Sequence, residues 1–160
     1  MCTWALNQKE IAELEAFHRK QLRSVLGIFY PNIISNEDLY KTTNTERLGI
    51  EITISRWKMF GHVLRMPNKT PAKQAMLWYF TEYKNDETKG FRGRPRSSLP
   101  ILLNQDLNQL HEIPEKWSST DLEELPGQLT STKDLKQLES IAKHRKKWKK
   151  IIKSMHALLS

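Results

Sequence analysis

What this chain has little of narrows its chemistry before any motif is read. It has one cysteine, Cys2, which excludes an internal disulfide and leaves no second thiolate to build a zinc knuckle with the five histidines. His18, His62, His111, His144 and His156 show no metal-like spacing with carboxylates or with Cys2, so each is expected at the surface or the core edge and no metal site is expected. No stretch approaches the roughly 20 apolar residues of a membrane span. The opening MCTWALNQKE meets a charge early and lacks an apolar run of signal length, so no membrane partner and no secretion are expected. An intracellular setting with access to the nucleus fits that reading.

The signatures of catalysis are missing as well. There is no phosphate-cradling glycine loop and no nucleophile elbow, and none of Asp38, Asp86, Asp106, Asp121 and Asp134 has an adjacent acid that could help hold a pair of metal ions. No enzymatic activity, cofactor or small-molecule substrate is expected. Strand alternation is weak throughout and no repeat at a fixed period is visible. The expectation is an all-α fold, an irregular bundle of five or six helices.

What is there fits that class. Apolar residues make up 38% of 160, enough for a core. Helical spacing of Ile11, Leu14, Phe17, Leu22, Val25 and Leu26 predicts an amphipathic helix over 7–26 with Asn7 as a cap. Ser35 and Asp38 predict a short helix over 36–42. Two adjacent apolar stripes over 50–66 predict a helix buried on a wide face. Pro71 opens another helix, with Ala75, Met76, Trp78 and Tyr79 expected inward. Ser97 or Ser98 precedes a leucine-rich helix, and Ser131 or Thr132 opens one long final helix. The intervening 82–98, nearly free of aliphatic residues, reads as a mobile basic loop between regions 1–81 and 99–160.

Charge is the strongest functional signal. Lys and Arg number 26 against 18 Asp and Glu, a net charge of +8 that points to an anionic partner, RNA or DNA. Two segments concentrate it. Residues 89–98, KGFRGRPRSS, place Arg92, Arg94 and Arg96 around Gly93 and Pro95, which reads either as a solvated linker of the common Arg/Gly/Pro kind or as a narrow backbone that lays guanidinium groups along a minor groove. Residues 143–153 contain Lys143, Arg145, Lys146, Lys147, Lys149, Lys150 and Lys153 and no acid, either a solvated helix face or a phosphate-binding one. Trp148 within it is expected in the core rather than on bases.

Taken in order, FHRKQLRSVLGI, ISNEDLYKTTN, ISRWKMFGHVLRMPN, PAKQAMLW, KGFRGRPRSS and IAKHRKKWKK resemble the region after the polymerase core in LINE-type, non-LTR retrotransposon endonuclease-reverse transcriptases. RWKMFGHVLRM at 56–66 is similar to the family's R-W-x-G-H-V-x-R-M, with Met59 and Phe60 where one Leu is frequent. In the last block Ala142, Arg145, Trp148 and Lys149 match, whereas His144 stands where an Asp or Asn is usual. The resemblance implies a thumb-like helical region over 1–81, a basic linker and a C-terminal helical region that help hold template RNA or target DNA. It also implies that the catalytic domains belong to another part of the parent enzyme, whose polymerase domains are the alternative partner if this is instead a protein-interaction module. An inert relic of a truncated element is a further reading.

Overall fold

The computed structural model describes residues 6–83, 98–112 and 122–160. Among these residues the chain forms seven α-helices and no strand: α1 (Gln8–Val25), α2 (Asn36–Thr43), α3 (Leu48–Arg65), α4 (Pro71–Trp78), α5 (Leu99–His111), α6 (Thr132–Lys143) and α7 (Arg145–Leu159). A single π-turn, Tyr79–Tyr83, continues α4. The all-α expectation therefore holds, with one helix more than the upper count. The expected mobile loop of 82–98, with Arg92, Arg94 and Arg96, lies outside the described residues except at its two ends.

The helix starts follow their caps. Asn7 accepts from the Glu10 amide while the Glu10 carboxylate accepts from the Asn7 amide, a reciprocal box that fixes the first turn of α1. Ser131 and Asp134 repeat the arrangement at α6, and Ser35 accepts from the Asp38 amide at α2. Pro100 sits in the first turn of α5, where its missing N–H is no loss.

α3 is the central element. Ile54, Trp57, Phe60, Val63 and Leu64 join Leu103, Leu107 and Leu110 of α5, Leu135, Leu138 and Ile141 of α6, and Trp148, Ile151, Ile152 and Met155 of α7 in one core. Leu122, Leu125 and Leu129, in a stretch without helical periodicity, also enter it. The Asn104 side chain fastens that stretch, accepting from the Leu129 amide at 2.6 Å and donating to its carbonyl at 3.1 Å.

Three expectations need correction. The final helix is two helices, broken at His144, whose φ of −85° and ψ of 83° leave the helical region. The cause lies in the apolar pattern: at 100° per residue the stripe 135/138/141/142 and the stripe 148/151/152/155 are rotated by roughly 90–100° about one axis, so a straight helix could not bury both. In α4 the inward residues are Lys73 and Met76, with Phe80 following in the π-turn, while Ala75 and Trp78 face solvent. Lys73 is buried because its Nζ has partners, the Leu64 carbonyl at 2.7 Å and the Glu139 carboxylate at 3.0 Å. Finally, α1 has the predicted bounds but buries no residue completely, and Phe17 at its middle and Val25 and Leu26 at its C-terminal end are exposed.

Candidate nucleic-acid interface

α3 and α7 run antiparallel. At one end the Arg65 guanidinium donates to the Ala142 carbonyl just before α7, and at the other His156 Nε2 meets Glu46 Oε2 at 2.6 Å just before α3. α7 turns Trp148, Ile151, Ile152 and Met155 into the core. The same 3.6-residue period then sends Lys146, Lys149, Lys150 and Lys153 outward at i, i+3, i+4 and i+7, on one face about 10 Å long. Lys58, exposed on α3, faces them, and the five lysines with His156, Ile54 and Ile152 line a groove of about 420 Å³.

None of these five lysines forms an ion pair among the described residues. Like charges at i,i+3 and i,i+4 repel by a few tenths of a kcal/mol per pair. The start of α7 adds to the positive field, since Arg145, Lys146 and Lys147 occupy its first turn, at the positive end of the helix dipole, with no acid and no side-chain cap there. Arg145 also faces Arg65, whose guanidinium pKa is lowered by burial and then by the Arg145 charge.

The basic segment does not act as one block. Lys143 pairs with Glu139 at 3.5 Å, and Lys147, half-buried, pairs with Glu124. The acids missing from the segment's own sequence thus come from elsewhere in the chain and neutralise two of the expected site residues. Burial works against the charge on Glu139, but hydrogen bonding and attraction from Lys73, then from Lys143, outweigh it and hold the carboxyl below its usual range. Of the residues singled out from sequence, Lys146, Lys149 and Lys150 share the groove, Arg145 stands at its upper end, and Lys143 and Lys147 are engaged in ion pairs. Trp148 is 3% exposed, enclosed by Trp57 and Phe60 with ring centroids at 6.1 and 6.3 Å, and so is withdrawn from any base.

Two features escaped the sequence reading. Lys58 belongs to the groove only because α3 and α7 pair, and the contiguous basic run gave no reason to look 88 residues upstream of Lys146. At its lower end the groove reaches His156, beside which lie Glu46 and Glu51; the ligand-type atoms of these three are within 4.8 Å of one another although their sequence spacing gave no metal-like pattern. Two of the three are exposed, and the third, His156, already bonds Glu46.

A second cleft, of about 340 Å³, lies between α1, α3 and α5 over Arg56 and Asp106. Its two buried charges are matched to each other. Arg56 Nη1 reaches both Asp106 carboxylate oxygens at 2.6 and 2.8 Å, and Trp57 Nε1 donates to one of them at 3.0 Å. Burial nevertheless pushes the Asp106 carboxyl up to about 6, against the pull of the Arg56 charge and of the hydrogen bonds from Arg56 and Trp57. No family model, curated protein or solved structure matches the chain.

Proposed function

We propose that this chain is a non-catalytic nucleic-acid-binding segment, the C-terminal part of a non-LTR retrotransposon reverse transcriptase, contacting template RNA or target DNA. The observation that carries the reading is the set of five exposed lysines on two antiparallel helices, without an ion pair among the described residues and beside a helix start with no acid to offset it. A polyanion relieves both the repulsion and the unfavourable dipole arrangement and releases counterions as it binds. The retrotransposon origin rests on the ordered sequence blocks described above, and the RGRPR segment at 92–96 supplies a second phosphate contact. Titration of RNA and duplex DNA across a salt series tests the reading. Steep, roughly linear falls of log affinity with log salt support it, and binding no tighter than to a basic protein of equal charge sinks it.

A second reading is favoured by a different surface. Phe17 is 61% exposed, Tyr30 92% and Ile33 89%, and Val25 and Phe29 are exposed as well, all within residues 17–33. Such a concentration of exposed apolar side chains in one segment is a feature of protein-binding faces, which suits a helical interaction module docking on the polymerase domains of the parent enzyme. Replacing Phe17, Phe29 and Ile33 by Ser separates the readings: nucleic-acid affinity stays unchanged while any self-association or capture of polymerase domains is lost. Unchanged association sinks the docking role.

A further inference from the structure

The α3–α7 groove is more than a row of positive charges. A surface made only to attract phosphates needs lysine tips spaced along a ridge, and an apolar recess between them adds nothing to that task. Here the recess exists: the edges of Ile54 and Ile152 form its floor, and Lys58 on one side and Lys146, Lys149, Lys150 and Lys153 on the other form its walls. Lysine stems are four methylenes long, so the walls are apolar low down and charged at the rim. A site with a dry base and a cationic rim matches a ligand with a flat, weakly polar body and anionic groups on both sides. A nucleotide within a strand has that form.

We infer that this groove seats an unstacked nucleobase of a single strand, with the flanking phosphates held by Lys58 and by Lys146, Lys149, Lys150 and Lys153. The inference rests on the nucleic-acid reading above and narrows its substrate. A duplex keeps its bases stacked inside and would touch the lysine tips while leaving the floor wet. A single strand can turn a base into the recess and cover it. With Trp148 locked in the core, the floor is aliphatic, so the seat gains from apolar burial rather than from ring stacking. Isoleucine offers no hydrogen bond to a base edge, so sequence preference is weak. Glu46 and Glu51 repel phosphate at the lower end, so the strand leaves the groove toward Lys146 and Arg145.

The full chain is titrated with a short unstructured RNA, with an oligonucleotide of the same length and backbone charge whose central positions are abasic, with a duplex of that length, and with vesicles containing phosphatidylserine. The inference expects the base-bearing strand to bind roughly five- to tenfold tighter than the abasic one at equal salt dependence, since the phosphates are the same and only the covered floor differs. Lys58→Ala, an exposed substitution on the opposite wall, lowers affinity for the single strand and flattens its salt slope by roughly 0.7. Equal affinity for base-bearing and abasic strands overturns the base seat and leaves the nucleic-acid reading standing, as does a duplex bound more tightly than the single strand. Absence of binding to every nucleic acid overturns both, and tighter binding to the vesicles assigns the recess to a membrane surface instead.

Discussion

The Trp148 indole occupies the space that a side chain at Gly61 would need. A Cβ built on Gly61 falls inside 3.0 Å of Nε1, Cε2 and Cδ1 of that ring, closer than real Cβ contacts come. This close approach of α3 and α7 creates the groove beside it. Ile54 lies seven residues before Gly61 on α3, and Ile152 lies four after Trp148 on α7.

Gly61→Ala is therefore predicted to destabilise the protein by about 2 kcal/mol, the cost of overpacking a closed site. At an exposed helical position the same change stabilises by up to about 1 kcal/mol through helix propensity. Urea denaturation gives the sign, and near-ultraviolet circular dichroism reports whether the Trp148 ring has moved. A neutral or stabilising result contradicts the packing described.

Asp106 predicts an inverted pH dependence. Its carboxyl is raised from 3.8 to about 6 in the folded chain. A raised acid contributes stability that is fully present below the unfolded value and is lost as pH climbs through the folded one. The stability of the wild-type chain relative to Asp106→Asn should thus fall by up to about 3 kcal/mol between pH 3.8 and 7. A carboxylate held low by Arg56 would give the opposite trend, so chemical denaturation of both proteins at several pH values decides between the two.

Much of this fold is legible in the sequence because helical periodicity and caps are local. Asn7, Ser35 and Ser131 announce their helices, and the leucines of α5 announce its buried face. The break at His144 was legible only in part. The two apolar stripes point different ways, a rotation that shows when they are placed on one wheel but not when they are read as a run of spacings. Arg56 and Lys73 were not legible as core residues, since a buried charge depends on a partner 50 or 66 positions away, Asp106 for one and Glu139 for the other. In the basic segment, the sequence identifies the lysines but not which are free. Glu139 stands four residues before Lys143 on α6, a spacing the sequence does show, whereas Glu124 removes Lys147, and Lys58 enters the groove, through tertiary contacts.

The buried Lys73 gives a further test. Lys73→Met removes a charge that satisfies both the Leu64 carbonyl and Glu139, and leaves a carboxylate without its strongest partner. A loss of about 2–3 kcal/mol is expected. Lys143→Met, which touches the same Glu139 from an exposed position, should change stability by less than about 0.5 kcal/mol. Equal effects from the two substitutions would show that Lys73 does not anchor α4 and α6 as described.

The proposal that the free lysines of α7 grip a polyanion is tested most directly by comparing two sets of substitutions in one salt series. Replacing Lys146, Lys149, Lys150 and Lys153 by Gln should weaken RNA and DNA binding and flatten the salt slope by roughly 0.7 to 0.9 for each phosphate no longer neutralised, with stability unchanged or slightly raised as repulsion is relieved. Replacing Lys143 and Lys147 by Gln removes charge from the same segment, but charge already held by Glu139 and Glu124, and should leave the slope nearly unchanged. Slopes that track only the number of positive charges removed, whichever set is altered, would contradict an interface built on the α3–α7 groove.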